Sequence, residues 1–78
     1  MELYGVKQLT GESVKAYAQR FKKAAKKMGD TIPEVGKASA FIQGLLPIIY
    51  PLAILGGERN TLNRAIESAK RGEMSVMG

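Results

Sequence analysis

An all-α fold, a small bundle of about four helices with an extended N-terminal arm, is predicted by three features of the sequence. Apolar side chains recur at i, i+3, i+4 and i+7, the spacing of one helical stripe. No segment alternates apolar and polar residues over strand length, and no hairpin dipeptide joins two apolar runs. No internal repeat is visible either.

The clearest helix follows Thr10–Ser13, a run rich in N-cap residues. Val14, Tyr17, Ala18, Phe21, Ala24, Ala25 and Met28 fall on its inner stripe. Lys26 and Lys27 suit the negative end of the macrodipole, and Gly29 can take the left-handed conformation that stops a helix, so we expect it over about 12–28. Thr31 and Glu34 form a capping-box pattern around Pro33, which fits the first turn of a second helix running to about Gly44. Its apolar stripe is Val35, Ala38, Phe41, Ile42 and Leu45; Gly36, Ser39, Ala40 and Gln43 are expected on the opposite, small and uncharged side.

Pro47 and Pro51 cannot both sit inside one regular turn, so a third, short helix is kinked or starts at Pro51. Residues 56–60, GGERN, read as a loop. Asn60 or Thr61 then caps a last helix with Leu62, Ala65, Ile66 and Ala69 inward and Gly72 ending it. Residues 2–9 are expected as an extended arm packed on the first helix. The whole chain, 1–78, reads as a single domain with an ordered core over about 8–73 and a frayed tail over 74–78.

At 78 residues the chain buries only roughly 60% of its unfolded surface, which leaves stability to packing or self-association. It has neither cysteine nor histidine, so disulfides, thiolate metal sites and the commonest proton-exchanging side chain are all absent. The seven carboxylates form no helical pair poised as acid and base, and no enzyme, metal or cofactor is expected. GGERNT at 56–61 lacks the lysine and spacing of a phosphate loop. The greasiest run, LLPIIYPLAIL at 45–55, is too short and too proline-rich to span a bilayer, so it is core or interface. No signal sequence opens the chain, so secretion is not expected, and the absence of cysteine is compatible with an intracellular, reducing setting.

On Gln8, Glu12, Tyr17, Arg20 and Phe21, the stretch QLTGESVKAYAQRF at 8–21 resembles the major homology region of retroviral and retrotransposon capsid proteins. FIQGLLPII at 41–49 is similar to the F-x-x-G-L-x-P stretch of gypsy-type Gag proteins, and TLNRAIESAKRGE at 61–73 to their closing T-L-x-x-A-I-x-x-A helix. The three occur in the family's order. The resemblance implies a capsid C-terminal lobe in which Gln8, Glu12 and Arg20 form a hydrogen-bonded tie between a turn and the first helix, while Tyr17 and Phe21 enter the core. Read without the family, Arg20 is a solvated surface residue and Glu12 a first-turn anion. Leu9 stands where retroviral versions usually have glycine. Gly11 stands where some lentiviral relatives carry a lysine that binds inositol phosphates, so that ligand is not expected.

The resemblance further implies a structural role: self-association into dimers and a capsid lattice, in the cytoplasm and in a virion or virus-like particle. By analogy with the family's dimer helix, Gly36, Ser39, Ala40 and Gln43 are interface candidates; Ile48, Ile49, Tyr50 and Leu52 are a second set, because so small a core cannot bury all of that run. A gag-derived dimerisation or peptide-binding module of a host protein is the alternative. Another is a basic nucleic-acid-binding module. Lys15, Lys22, Lys23, Lys26 and Lys27 line the outer side of the first helix, as a solvated face, as a weak, non-specific contact for nucleic acid or an acidic partner, or as a lattice contact between capsid lobes. No aromatic residue interleaves with them.

Overall fold

Ser13 starts the first helix: its hydroxyl accepts the Ala16 N–H at 3.1 Å, which satisfies one donor of the open first turn. A computed structural model describes residues 5–29, 32–55 and 60–77, Met77 by its backbone only. Helix α1 spans Val14–Lys27, α2 Glu34–Gln43, α3 Tyr50–Leu55 and α4 Leu62–Met77. The fold is all-α, with no strand among the described residues. Met28 ends α1, and Gly29 follows at φ 79°, the left-handed region in which glycine has no Cβ penalty.

Helix α4 lies against both α2 and α3 and more lightly against α1, while α2 also touches α1 and α3. The enclosed core is built from alanines, which let backbones approach, around a few large side chains: Val14, Tyr17, Phe21 and Phe41. Three rings form its centre. Tyr17 stacks on Phe41 with centroids 4.7 Å apart, and Phe21 meets Phe41 edge-on at 5.4 Å. Such pairs add about 0.5–1.5 kcal/mol each beyond the area they bury.

Several expectations are corrected. Helix α2 is packed by three other helices, so its buried surface is wider than one stripe and includes Ala40, only 1% exposed. Val35, assigned to the inner stripe, is 62% exposed in the first turn. Pro33 is the N-cap of α2 rather than its first helical residue, and it supplies no side-chain bond; the Thr31 half of the capping box lies outside the described residues. Gly72 does not end the last helix. α4 continues to Met77, through Glu73 and most of the segment expected to fray, and Gly72 is buried inside it. A Cβ there would lie 2.9 Å from the Cβ of Leu52, so this glycine serves the close crossing of α3 over α4.

Pro51 is the second residue of α3, where its missing N–H is not needed. The bend before it is closed by the Ile49 and Tyr50 N–H groups, both donating to the Leu46 carbonyl at 2.9 Å. Of the expected arm, residues 2–4 lie outside the described residues, and residues 6–9 run without regular structure.

Candidate functional site

Residues 9–12 form a turn in which the Glu12 N–H donates to the Leu9 carbonyl at 2.9 Å. Gly11, third in the turn, sits at φ 84°, as a type II turn requires. The Glu12 carboxylate folds back to accept the Leu9 N–H at 2.9 Å and takes Arg20 in a two-pronged grip, Nε to Oε2 and Nη2 to Oε1, each 2.7 Å. Arg20 Nη2 also donates to the Lys7 carbonyl at 2.6 Å, and its guanidinium lies 5.9 Å from the Tyr17 ring centroid. One arginine therefore joins α1 to the turn and to the segment before it.

Gln8 extends the tie to the end of α2 and the segment that follows it. Its backbone N–H donates to the Gly44 carbonyl at 2.8 Å, and its side chain donates to the Glu12 carbonyl at 2.7 Å while accepting the Leu46 N–H at 3.1 Å. The side chain is buried and its polar atoms are satisfied, the condition under which a buried amide rigidifies its surroundings. Tyr17 closes a second link, donating its hydroxyl to the Phe41 carbonyl at 2.8 Å, with the Val6 carbonyl at 3.3 Å. That hydroxyl occupies the space left by the absent side chain of Gly44. Burial pushes the Tyr17 phenol above its usual range.

The structure thus brings Gln8, Glu12 and Arg20 into one cluster and places Tyr17 and Phe21 in the core beneath it. It also joins residues 8–21 to residues 41–49: Gln8 and Tyr17 of the first segment bond to Phe41, Gly44 and Leu46 of the second.

Two further ties were not visible in the sequence. Glu73 accepts the Val14 N–H at 2.8 Å, capping α1 from the far end of the chain, and Glu34 accepts the Leu62 N–H at 3.2 Å, capping α4 from the start of α2. Both put an anion at a helix N-terminus. Glu34 also pairs with Lys37 at 3.0 Å; that hydrogen bond first, then the Leu62 N–H, holds its carboxyl below the usual range. Pairings across so many residues carry no local signature.

The interface candidates divide. Ala40 and Ile49 are buried within the monomer and are withdrawn as contact residues; Gly36 and Leu52 are half-buried. Ser39, Gln43, Tyr50 and Ile48 are exposed. Ser39, Gln43 and Tyr50 border a shallow groove between α2 and α3 together with Ala38, Ile42 and Ile54. Lys15, Lys22, Lys23, Lys26 and Lys27 are all exposed on α1.

The Arg20 hydrogen bonds, then the Leu9 N–H, lower the Glu12 carboxyl from 4.5 to about 2. A depressed folded pKa contributes stability that is present above the unfolded value and is lost as pH falls through the folded one. Stability is therefore expected to drop between about pH 5 and pH 2. Discounted for solvent around the 43%-exposed Arg20 side chain, the loss is about 1–2 kcal/mol. Urea titrations across that range should show it, and Glu12→Gln should remove most of the dependence.

Bundle and tie together define a small helical module whose ordered polar cluster fastens its own elements; Gln8 and Glu12 of that cluster also border an open, largely apolar recess with Leu46, Ile48, Ile49 and Val76. No family model, curated protein or solved structure matches the chain.

Proposed function

We propose that this chain is a self-associating structural lobe of the capsid C-terminal kind, built to join copies of itself in the shell of a retroelement or retrovirus. The observation that carries the reading is the interlock of its two Gag-like segments. Gln8 clamps Gly44 and Leu46, Tyr17 reaches Phe41, and Arg20 locks the intervening turn. This places the residues of both patterns at one junction, where their spacing has a mechanical reason.

The uncharged surface for self-contact is the α2–α3 groove, with Ser39 and Gln43 on one side and Tyr50 and Ile54 on the other. A two-fold axis there makes the patch self-complementary. Lattice contacts of this kind are weak and many, each near or below ~800 Å² per partner, so that avidity holds the assembly while single contacts exchange.

Sedimentation equilibrium over a range of protein and salt concentrations tests the reading. Reversible dimers or larger species are expected, and a monomer at every concentration rejects it. The double variant Ser39→Lys, Gln43→Lys alters two exposed positions with a good helix former, so helical content should persist. It sets like charges against each other across the axis and should weaken association at least tenfold. Unchanged association moves the contact elsewhere on the molecule.

A further inference from the structure

Helix α1 contains no acidic residue, and its one arginine is already engaged by Glu12. Its exposed residues are Lys15, Gln19, Arg20, Lys22, Lys23, Lys26 and Lys27. None of the last four is in an ion pair among the described residues; Asp30 lies outside them. Lys22 and Lys26, like Lys23 and Lys27, stand one turn apart, about 6 Å along the axis. Like charges at this spacing repel and weaken the helix, and a bound anion relieves that repulsion. The ridge does not stop at α1. Lys37 of α2 lines a recess with Lys22 and Lys26, beside Leu62 at the start of α4. Glu34, which meets Lys37, already has both carboxylate oxygens engaged, one by Lys37 and the other by the Leu62 N–H.

We propose that this face of α1 binds the phosphate backbone of a nucleic-acid duplex without reading its bases. The inference is independent of the capsid reading. Charge complementarity selects a polyanion, and a duplex presents about one charge per 1.7 Å of its axis. No exposed aromatic side chain lies on α1, so a single strand finds no stacking platform there. No exposed apolar side chain lies on it either, so the face has nothing to insert into a lipid surface.

The test is fluorescence anisotropy of the full chain with a short labelled duplex, titrated across salt. Four lysines predict a slope of log K against log salt of about −3.6, or roughly a hundredfold weakening between 50 and 200 mM. Replacing Lys22, Lys23, Lys26 and Lys27 together by glutamine should abolish the binding, whereas replacing all four by arginine should preserve it. If the glutamine variant loses its helical circular dichroism, the paired variants Lys22→Gln, Lys23→Gln and Lys26→Gln, Lys27→Gln take its place, each lowering the slope by about 1.8. A glutamine variant with wild-type affinity and slope overturns the proposal. So does tighter binding to a single strand of equal length, or to anionic phospholipid vesicles, than to the duplex.

Discussion

Gly44→Ala is expected to destabilise the domain by about 3 kcal/mol, the sum of an overpacking cost and of strained or lost hydrogen bonds from the Tyr17 hydroxyl. The reason is space rather than backbone freedom. Gly44 ends α2 at φ −85°, an ordinary value for any residue, yet a Cβ there would overlap the Tyr17 hydroxyl oxygen and lie 2.5 Å from the Val6 carbonyl oxygen. Neither neighbour can withdraw freely. Val6 belongs to the backbone of the arm, and Tyr17 is held by the stacked Phe41 ring and by its bond to the Phe41 carbonyl. A loss of that size removes much of the stability of a small domain, for which total values of about 5–15 kcal/mol are usual. Urea denaturation measures it, and a double-mutant cycle identifies its cause. Tyr17→Phe alone should cost about 1 kcal/mol, but in the Gly44→Ala background it should recover part of the loss by vacating the contested space. Purely additive losses would show that the overlap is not what makes alanine costly.

Arg20→Ala should lower stability by about 2–3 kcal/mol, less than a fully buried network would lose, because the guanidinium is partly in water. The substitution deletes both prongs to Glu12 and the bond to Lys7, leaving a carboxylate of 12% side-chain exposure with only the Leu9 N–H among these partners. Arg20→Lys should recover little, since an ammonium cannot reproduce the planar two-pronged geometry. The alanine variant should also lose most of the acid dependence assigned to Glu12, whose low pKa derives first from Arg20. An unchanged melting temperature would make the ion pair a surface ornament and return Arg20 to the solvated role that periodicity alone allows.

The positions the sequence identified best were those with a local cause. Val14, Tyr17, Ala18 and Phe21 of α1 and Leu62, Ala65, Ile66 and Ala69 of α4 were placed inward by period, and all are buried. The N-cap candidates at Thr10–Ser13, of which Ser13 is the one used, and Gly29 announced the ends of α1 by residue type. Where a second body intervened, the local signals misled. Gly72 looks like a helix stop in any linear reading, but α3 crosses α4 at that point, and a glycine that admits a neighbour looks the same as one that ends a helix. Ala40 appeared to be on the outer face because a single stripe was assumed, whereas α2 is covered by three helices.

The same division runs through the candidate site. Gln8, Glu12 and Arg20 were singled out as a pattern, yet spacing alone left Arg20 equally suited to water, and only the distances to Glu12 and Lys7 decide between the two. The carboxylate caps from Glu34 and Glu73 were invisible, since they link residues 28 and 59 positions apart, respectively. The amino-acid order by itself determined helix, stripe and net charge, because hydrophobic period, cap chemistry and ionisation act over one or two turns. Which glycine makes room, which alanine is covered and which carboxylate meets which amide were decided only in the folded bundle, because those choices depend on where distant helices come to rest.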